Sequence, residues 1–204
     1  MTQCERMVKG LIYDPMDEEI MAEQVPFQDK LWEFNQLKPS DNEKKQQYMK
    51  EVFAECGESC YIELPFHANW GGHHVHFGSN IYANSNLTLV DDGHIYIGDK
   101  VMFGPNVTIA TANHPIDPEL RSRALQYNKD VYIGENVWIG AGVIIVPGVH
   151  IGKNTVIGAG SVVTKDIPDN VVAVGNPCRV LREISARDKE YFYKNERIDP
   201  EESD

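Results

Sequence analysis

Thr111-Ala112-Asn113-His114-Pro115 sets an imidazole in a polar, turn-forming stretch. Neutral imidazole accepts a proton near pH 7, so His114 is the candidate general base for a weakly acidic group that must lose its proton as it attacks. A loop histidine alone is weak evidence; its place at the edge of a repeat, set out below, strengthens it. Four more histidines, His67, His73, His74 and His76, suggest different chemistry. Three convergent imidazoles hold zinc and activate its bound water, and His74 and His76 would share one face of a strand. Cys56 and Cys60, four apart near the end of an expected helix, could form a metal or redox pair. Together with Cys4 and Cys178 they lack the density and spacing of a disulfide scaffold, and are read as reduced bystanders.

The elements that position these groups are announced by a period of six. Ile133, Ile139, Ile145, Ile151, Ile157 and Val163 recur at that spacing, and Gly134, Gly140, Gly152 and Gly158 follow four of them. Val137, Val143, Val149 and Ile167 hold the fifth place of their hexads. Six is a multiple of the strand period and not of 3.6, so the pattern asks for short strands and corners and excludes helix. Gly, and Asn136 and Asn154, suit the left-handed backbone of such corners. One hexad buries little, but stacked coils set each inward aliphatic on a similar neighbour. At ~1.5–3 kcal/mol per buried Ile or Val, the six spine positions supply on the order of 10 kcal/mol before chain entropy is charged.

Upstream, Phe77, Ala83 and Leu89 keep the spacing, then Ile97, Phe103 and Ile109 continue it in a frame moved by two. The slip falls at Asp91-Asp92-Gly93. Between Thr111 and Asp130 the period vanishes, and it returns in phase at Ile133. A long departure from a rigid array is a candidate functional loop, and it carries His114. Before the repeat, Met16 to Leu37 reads as two short helical pieces interrupted by Pro26. Ser40 with Glu43 reads as a capping box opening a second helix. The expected layout is a helical cap over residues 1–60, a repeat domain over 61–183 with its excursion at 111–130, and a short helix and tail over 184–204.

A chain of 204 residues fits one large domain, and a formal charge of −12 argues against a nucleic-acid binder. The apolar runs are too short for a membrane span, and no secretory leader is evident, so a cytoplasmic protein is expected.

Several segments resemble the hexapeptide-repeat sugar O-acetyltransferases typified by galactoside and maltose acetyltransferases. They are Met7-Val8-Lys9-Gly10 with Tyr13-Asp14-Pro15, Tyr82-Ala83-Asn84-Ser85-Asn86-Leu87, Val90-Asp91-Asp92, Asn113-His114-Pro115, Asn136-Val137-Trp138-Ile139-Gly140 and Gly175-Asn176-Pro177-Cys178-Arg179-Val180. The resemblance spans about residues 5–195. It implies a mainly β chain folded as a left-handed parallel β-helix, against the usual right-handed crossover preference. It also implies a homotrimer with acetyl-CoA sites between subunits, and an N-terminal helical domain that contributes to the acceptor pocket.

The implied reaction moves an acetyl group from acetyl-CoA to a hydroxyl, the 6-hydroxyl, of a sugar such as maltose, glucose or a galactoside. His114 would be the base, a main-chain N–H near Ala141 would stabilise the oxyanion, and no residue matches an acyl-carrying nucleophile. Acceptor binding would fall to Asp14, Asn84 and Asp92, with Tyr82 as a nearby wall. Trp70 stands where some relatives have serine, and its ring could stack on a sugar or narrow the site. Asp14 has a second reading as a helix cap. Acetyl-CoA contacts are assigned by resemblance to Asn84, Ala141, Ala159, Thr164 and Lys165. Arg179 and Arg182 would meet the nucleotide phosphates, and Trp138 would line the acetyl channel or shield the core. No metal is required. Two other readings stand beside this one: a zinc-dependent carbonic anhydrase-like lyase built on the histidines, and a non-enzymatic β-helix scaffold. Neither the physiological sugar nor the group that orients His114 can be read from the sequence.

Overall fold

The computed structural model describes residues 1–199, so the tail at 200–204 lies outside the described residues. From Glu55 onward the chain winds as a solenoid with three walls of parallel strands, visited in turn. The first wall stacks Glu55–Cys56, Val75–Phe77, Ile95–Ile97, Val131–Ile133 and His150–Ile151. The second stacks Tyr61–Ile62, Tyr82–Ala83, Met102–Phe103, Trp138–Ile139, Val156–Ile157 and Val171–Val174, with Arg179–Glu183 antiparallel at its end. The third stacks Phe66–Ala68, Leu87–Val90, Thr108–Ala110, Ile144–Ile145 and Val162–Val163.

The hexad period gives this register directly. Ile133 lies on Ile151, Ile139 on Ile157 and Ile145 on Val163, three hexads apart, and all six side chains are buried. The residue before each points outward, so Tyr132, Trp138 and Ile144 are exposed. Corners between the first and second walls turn on Asn136, Asn154 and Asn170 at φ 55–57°, and their amides stack at 3.0 Å. At Gly134 a Cβ would sit 2.7 Å from the Lys153 nitrogen, so glycine is required for one coil to lie on the next.

The two-residue slip and the excursion both fall at the third-to-first corner. Val131–Ile133 pairs directly with Ile95–Ile97, so residues between Ala110 and Val131 are an insertion that leaves the coil stack in register. The excursion is a hairpin, Ala112–Asn113 against Tyr127–Asn128, with a short helix, Pro118–Ser122, at its tip.

Three helices precede the solenoid: α1 (Gln3–Val8), α2 (Glu18–Phe34) and α3 (Asn42–Val52). Phe34 stacks on Tyr48 with centroids 4.2 Å apart and meets Phe66 edge-on, so α2 and α3 extend the solenoid core across its starting end. The two-piece expectation for Met16–Leu37 is corrected: α2 runs unbroken through Pro26. A stripe of Ile20, Phe27, Leu31 and Phe34 packs inward, and Gln24 and Gln28 both donate to the Asn69 carbonyl on either side of the proline. That tertiary anchoring offsets the roughly 3 kcal/mol that an interior proline costs. The Ser40–Glu43 capping box is also corrected. Asp41 is the N-cap of α3 and its carboxylate accepts the Lys38 N–H instead, whereas a capping box does form at Thr2 and Glu5. Cys56 lies in a strand beyond the end of α3, and all four cysteines are free thiols. The expected C-terminal helix is one 3-10 turn, Ala186–Lys189, followed by a hairpin of Tyr191–Tyr193 with Glu196–Arg197. Among the described residues no helix is long and apolar enough to cross a membrane.

Candidate active site

The excursion begins at Thr111, buried at the corner, whose hydroxyl donates to the Val90 carbonyl and accepts the Gly93 N–H. Two ladder pairs later the chain reaches His114, where Asn113 Oδ1 accepts the His114 N–H at 2.9 Å. His114 Nδ1 lies 2.8 Å from the Leu125 carbonyl across the hairpin. A carbonyl can only accept, so Nδ1 carries a proton, and in the neutral ring Nε2 is the nitrogen left with the lone pair. This carbonyl is the orienting group that the sequence does not name.

Asp92 stands in the slipped corner. Its Oδ2 accepts from Asn69 Nδ2 at 2.8 Å and its Oδ1 from Gln126 Nε2 at 3.1 Å, while Asn128 Nδ2 holds its main-chain carbonyl at 2.8 Å. Tyr13 and Gln126 exchange main-chain hydrogen bonds at 2.9 Å each, and the Gln126 amide also donates to the Tyr13 hydroxyl. The N-terminal segment is thereby sewn to the hairpin, and Asp14 follows directly. Asp14 Oδ1 accepts the Met16 N–H, whereas the cap of α2 is Asp17, so the capping role belongs to Asp17. Beside Asp92, Asp91 is buried and accepts N–H bonds from Trp70 and Gly72; burial, with the Asp92 charge, pushes its carboxyl up to about 7.

One chain thus gathers Asp14, Asp92 and His114 around the third-to-first corner. Trp70 lies beneath them in the floor, 2% exposed and packed with Met7, Tyr13 and Ile20, and offers no open ring face for stacking. Asn84, Ala141 and Ala159 lie elsewhere, on the second-to-third corner. Successive corners there are tied by bonds such as Gly160 N–H to the Ala141 carbonyl, 2.8 Å. Tyr82 and Trp138 form an exposed outer row of the second wall with Met102 between them, a residue the sequence reading passed over. Thr164 and Lys165 follow Val163 at the third-to-first corner, where the excursion also leaves. Arg179 and Arg182 are exposed on the antiparallel strand. Arg179 donates to the Cys178 carbonyl, and Arg182 forms a two-pronged pair with Asp188 at 2.7 Å on both prongs. That contact holds the Asp188 carboxyl well below its usual range.

The histidines do meet, with His94 among them. His76 Nε2 is 2.9 Å from His94 Nδ1, His76 Nδ1 is 3.1 Å from Glu55, and His74 Nδ1 donates to the Asp91 carbonyl at 2.6 Å. His73 Nδ1 faces the Val52 carbonyl, and His67 is exposed on the third wall. Among the described residues no group of three or more His, Cys, Asp or Glu side chains is arranged to hold a metal ion.

The sequence reading gave no role to Tyr13, Asn69, Leu125, Gln126 or Asn128. The only local sign was the Gln126-Tyr127-Asn128 alternation, two polar residues on one side of a short strand, and both prove buried.

Comparison with known proteins places this geometry. Residues 6–57 match the family described as maltose acetyltransferase hexapeptide capping motif, and residues 130–165 match bacterial transferase hexapeptide (six repeats). A galactoside O-acetyltransferase of Lactococcus lactis is 56% identical over 94% of this chain and 92% of its own length. The solved galactoside acetyltransferase in complex with coenzyme A superposes with a TM-score of 0.93 at 46% identity, over 98% of this chain and 99% of that one. A maltose O-acetyltransferase of Clostridium difficile 630 gives 0.88 at 45% identity, over 91% and 98%. A solenoid of hexads, a helical cap sewn to its excursion and full-length likeness to these enzymes lead to one assignment: the chain belongs to the hexapeptide-repeat sugar O-acetyltransferase family.

Proposed function

We propose that this chain transfers the acetyl group of acetyl-CoA to the 6-hydroxyl of a sugar such as maltose, glucose or a galactoside, with His114 as general base. The observation that carries the reading is the His114 Nδ1 contact to the Leu125 carbonyl, which leaves Nε2 bare to receive a proton. Asp14, Asn84 and Asp92 position the acceptor. As its oxygen attacks the thioester carbonyl, its proton passes to His114 Nε2 and the tetrahedral oxyanion is met by the main-chain N–H near Ala141, a contact worth roughly 3–4 kcal/mol in such sites. Collapse breaks the C–S bond, and the proton on His114 returns to the departing sulfur. The products are an acetyl ester and the free thiol of CoA.

The pantetheine arm fits the exposed corner of Asn84, Ala141 and Ala159, with Trp138 and Tyr82 along its outer row, and Thr164, Lys165, Arg179 and Arg182 take the nucleotide end. In one chain these corner residues and His114 stand on different edges of the prism, with the third wall between them. That separation supports a homotrimer in which the edge of one subunit carries His114 and Asp92, and the facing edge of the next carries Asn84, Trp138 and Ala141.

A thiol-release assay with maltose, glucose and p-nitrophenyl β-galactoside tests the reading. His114→Ala is expected to lower kcat by at least a hundredfold while acetyl-CoA affinity by calorimetry stays within about threefold. Turnover retained in that variant removes His114 as the base, and no thiol release with any sugar removes the acceptor assignment.

A further inference from the structure

We infer that Gln126 is a positioning residue for the acceptor, acting through Asp92. The inference rests on the reading of Asp92 as the acceptor carboxylate and His114 as the base. Both oxygens of Asp92 are held by side-chain amides, Oδ1 by Gln126 and Oδ2 by Asn69, and each oxygen keeps a further lone pair for a sugar hydroxyl. Each amide holds a different oxygen, so together they fix the rotation of the carboxylate. A carboxylate on a corner loop would otherwise lose rotamer entropy each time an acceptor bound, so the clamp sets the carboxylate in advance.

Gln126 also sits where the two halves of the reaction meet. Its main chain pairs with Tyr13, one residue before Asp14, and the preceding carbonyl, that of Leu125, holds His114. Its side chain is buried, and its single amide nitrogen serves Asp92, the Tyr13 hydroxyl and Asn128 Oδ1. Removing the amide while keeping the backbone therefore separates the tasks: the base stays oriented through Leu125, the Tyr13 hydroxyl keeps its bond to Asn128 Oδ1, and the acceptor carboxylate loses its Oδ1 donor.

The test uses the full chain with p-nitrophenyl β-galactoside and acetyl-CoA. Gln126→Met, of similar length and without a donor, is expected to raise acceptor KM about tenfold, with kcat and acetyl-CoA KM within about threefold of the parent. Asn69→Ala, at an exposed side chain, is expected to act in the same direction and covers the case in which the buried variant fails to fold. In an Asp92→Ala background both substitutions should change acceptor KM by less than about twofold, because they act through a group no longer there. If they remain fully multiplicative in that background, or if kcat falls with acceptor KM unchanged, the role of Gln126 is overturned. If Asp92→Ala alone leaves acceptor KM unchanged, the reading of Asp92 fails first and the inference fails with it.

Discussion

His74 and Asp91 touch through a single hydrogen bond, and burial acts on them in opposite directions. Burial pushes the His74 imidazole down to about 4, with His73, His94 and His76 adding to the effect, and pushes the Asp91 carboxyl up to about 7. Between about pH 6.5 and pH 4 the unfolded chain protonates His74 while the folded chain does not, so this group's contribution to stability is lost as pH falls. It amounts to on the order of 3 kcal/mol over the window. Asp91 does the reverse: its contribution is present below about pH 4 and lost as pH rises through 7. The two slopes oppose each other in the parent chain. His74→Gln removes one of them, so urea-unfolding stability of that variant should fall as pH rises from 4 to 7, more steeply than in the parent. Parallel stability–pH curves for the two proteins would refute this. The excursion that carries His114 was legible in the sequence because it broke a strict period, but the contacts that anchor it were not. Gln126 and Tyr13 are 113 residues apart, and no local pattern shows that a buried amide and a buried phenol will meet.

The strands of the solenoid were legible for a physical reason: every inward Ile or Val meets a near copy of itself one coil away, so the packing constraint repeats as often as the sequence does. A charge in the spine has nowhere to go. Ile151 is 3% exposed and stacks on Ile133, with Ile167 bridging to it on the next coil. Ile151→Asp should destabilise the chain by more than ~4 kcal/mol, read as loss of the far-ultraviolet strand signal at temperatures where the parent is folded. Helix α2 was read less well because local propensity competed with a tertiary surface that the sequence does not display. Pro26 is exposed and leaves the Ala22 carbonyl without its helical donor. Pro26→Ala restores that donor at some cost in unfolded-chain entropy, so a net gain of about 1–2 kcal/mol and a higher Tm are expected. A lowered Tm would refute this.

The proposed reaction asks of the whole molecule something that one chain does not supply. A rigid prism holds its second-to-third and third-to-first corners apart by the width of a wall, yet the proposed transfer needs the groups on both to reach one carbonyl carbon. Bending the solenoid would break stacked Asn amides and spine contacts together, so the proposed mechanism needs a second copy to bring the corners into proximity. In the proposed closed ring of three, one repeated contact satisfies every edge, and each cleft takes His114 from one copy and Asn84 from its neighbour. Subunit mixing tests this without any knowledge of the natural sugar. His114→Ala and Asn84→Ala should each be nearly inactive as pure proteins. Unfolded together in equal amounts and refolded, random assembly pairs an intact His114 with an intact Asn84 at about a quarter of the clefts, so about a quarter of parental activity should return. If His114 and Asn84 served the same chain's cleft, every cleft would contain one defect whatever the mixture, and no activity would return.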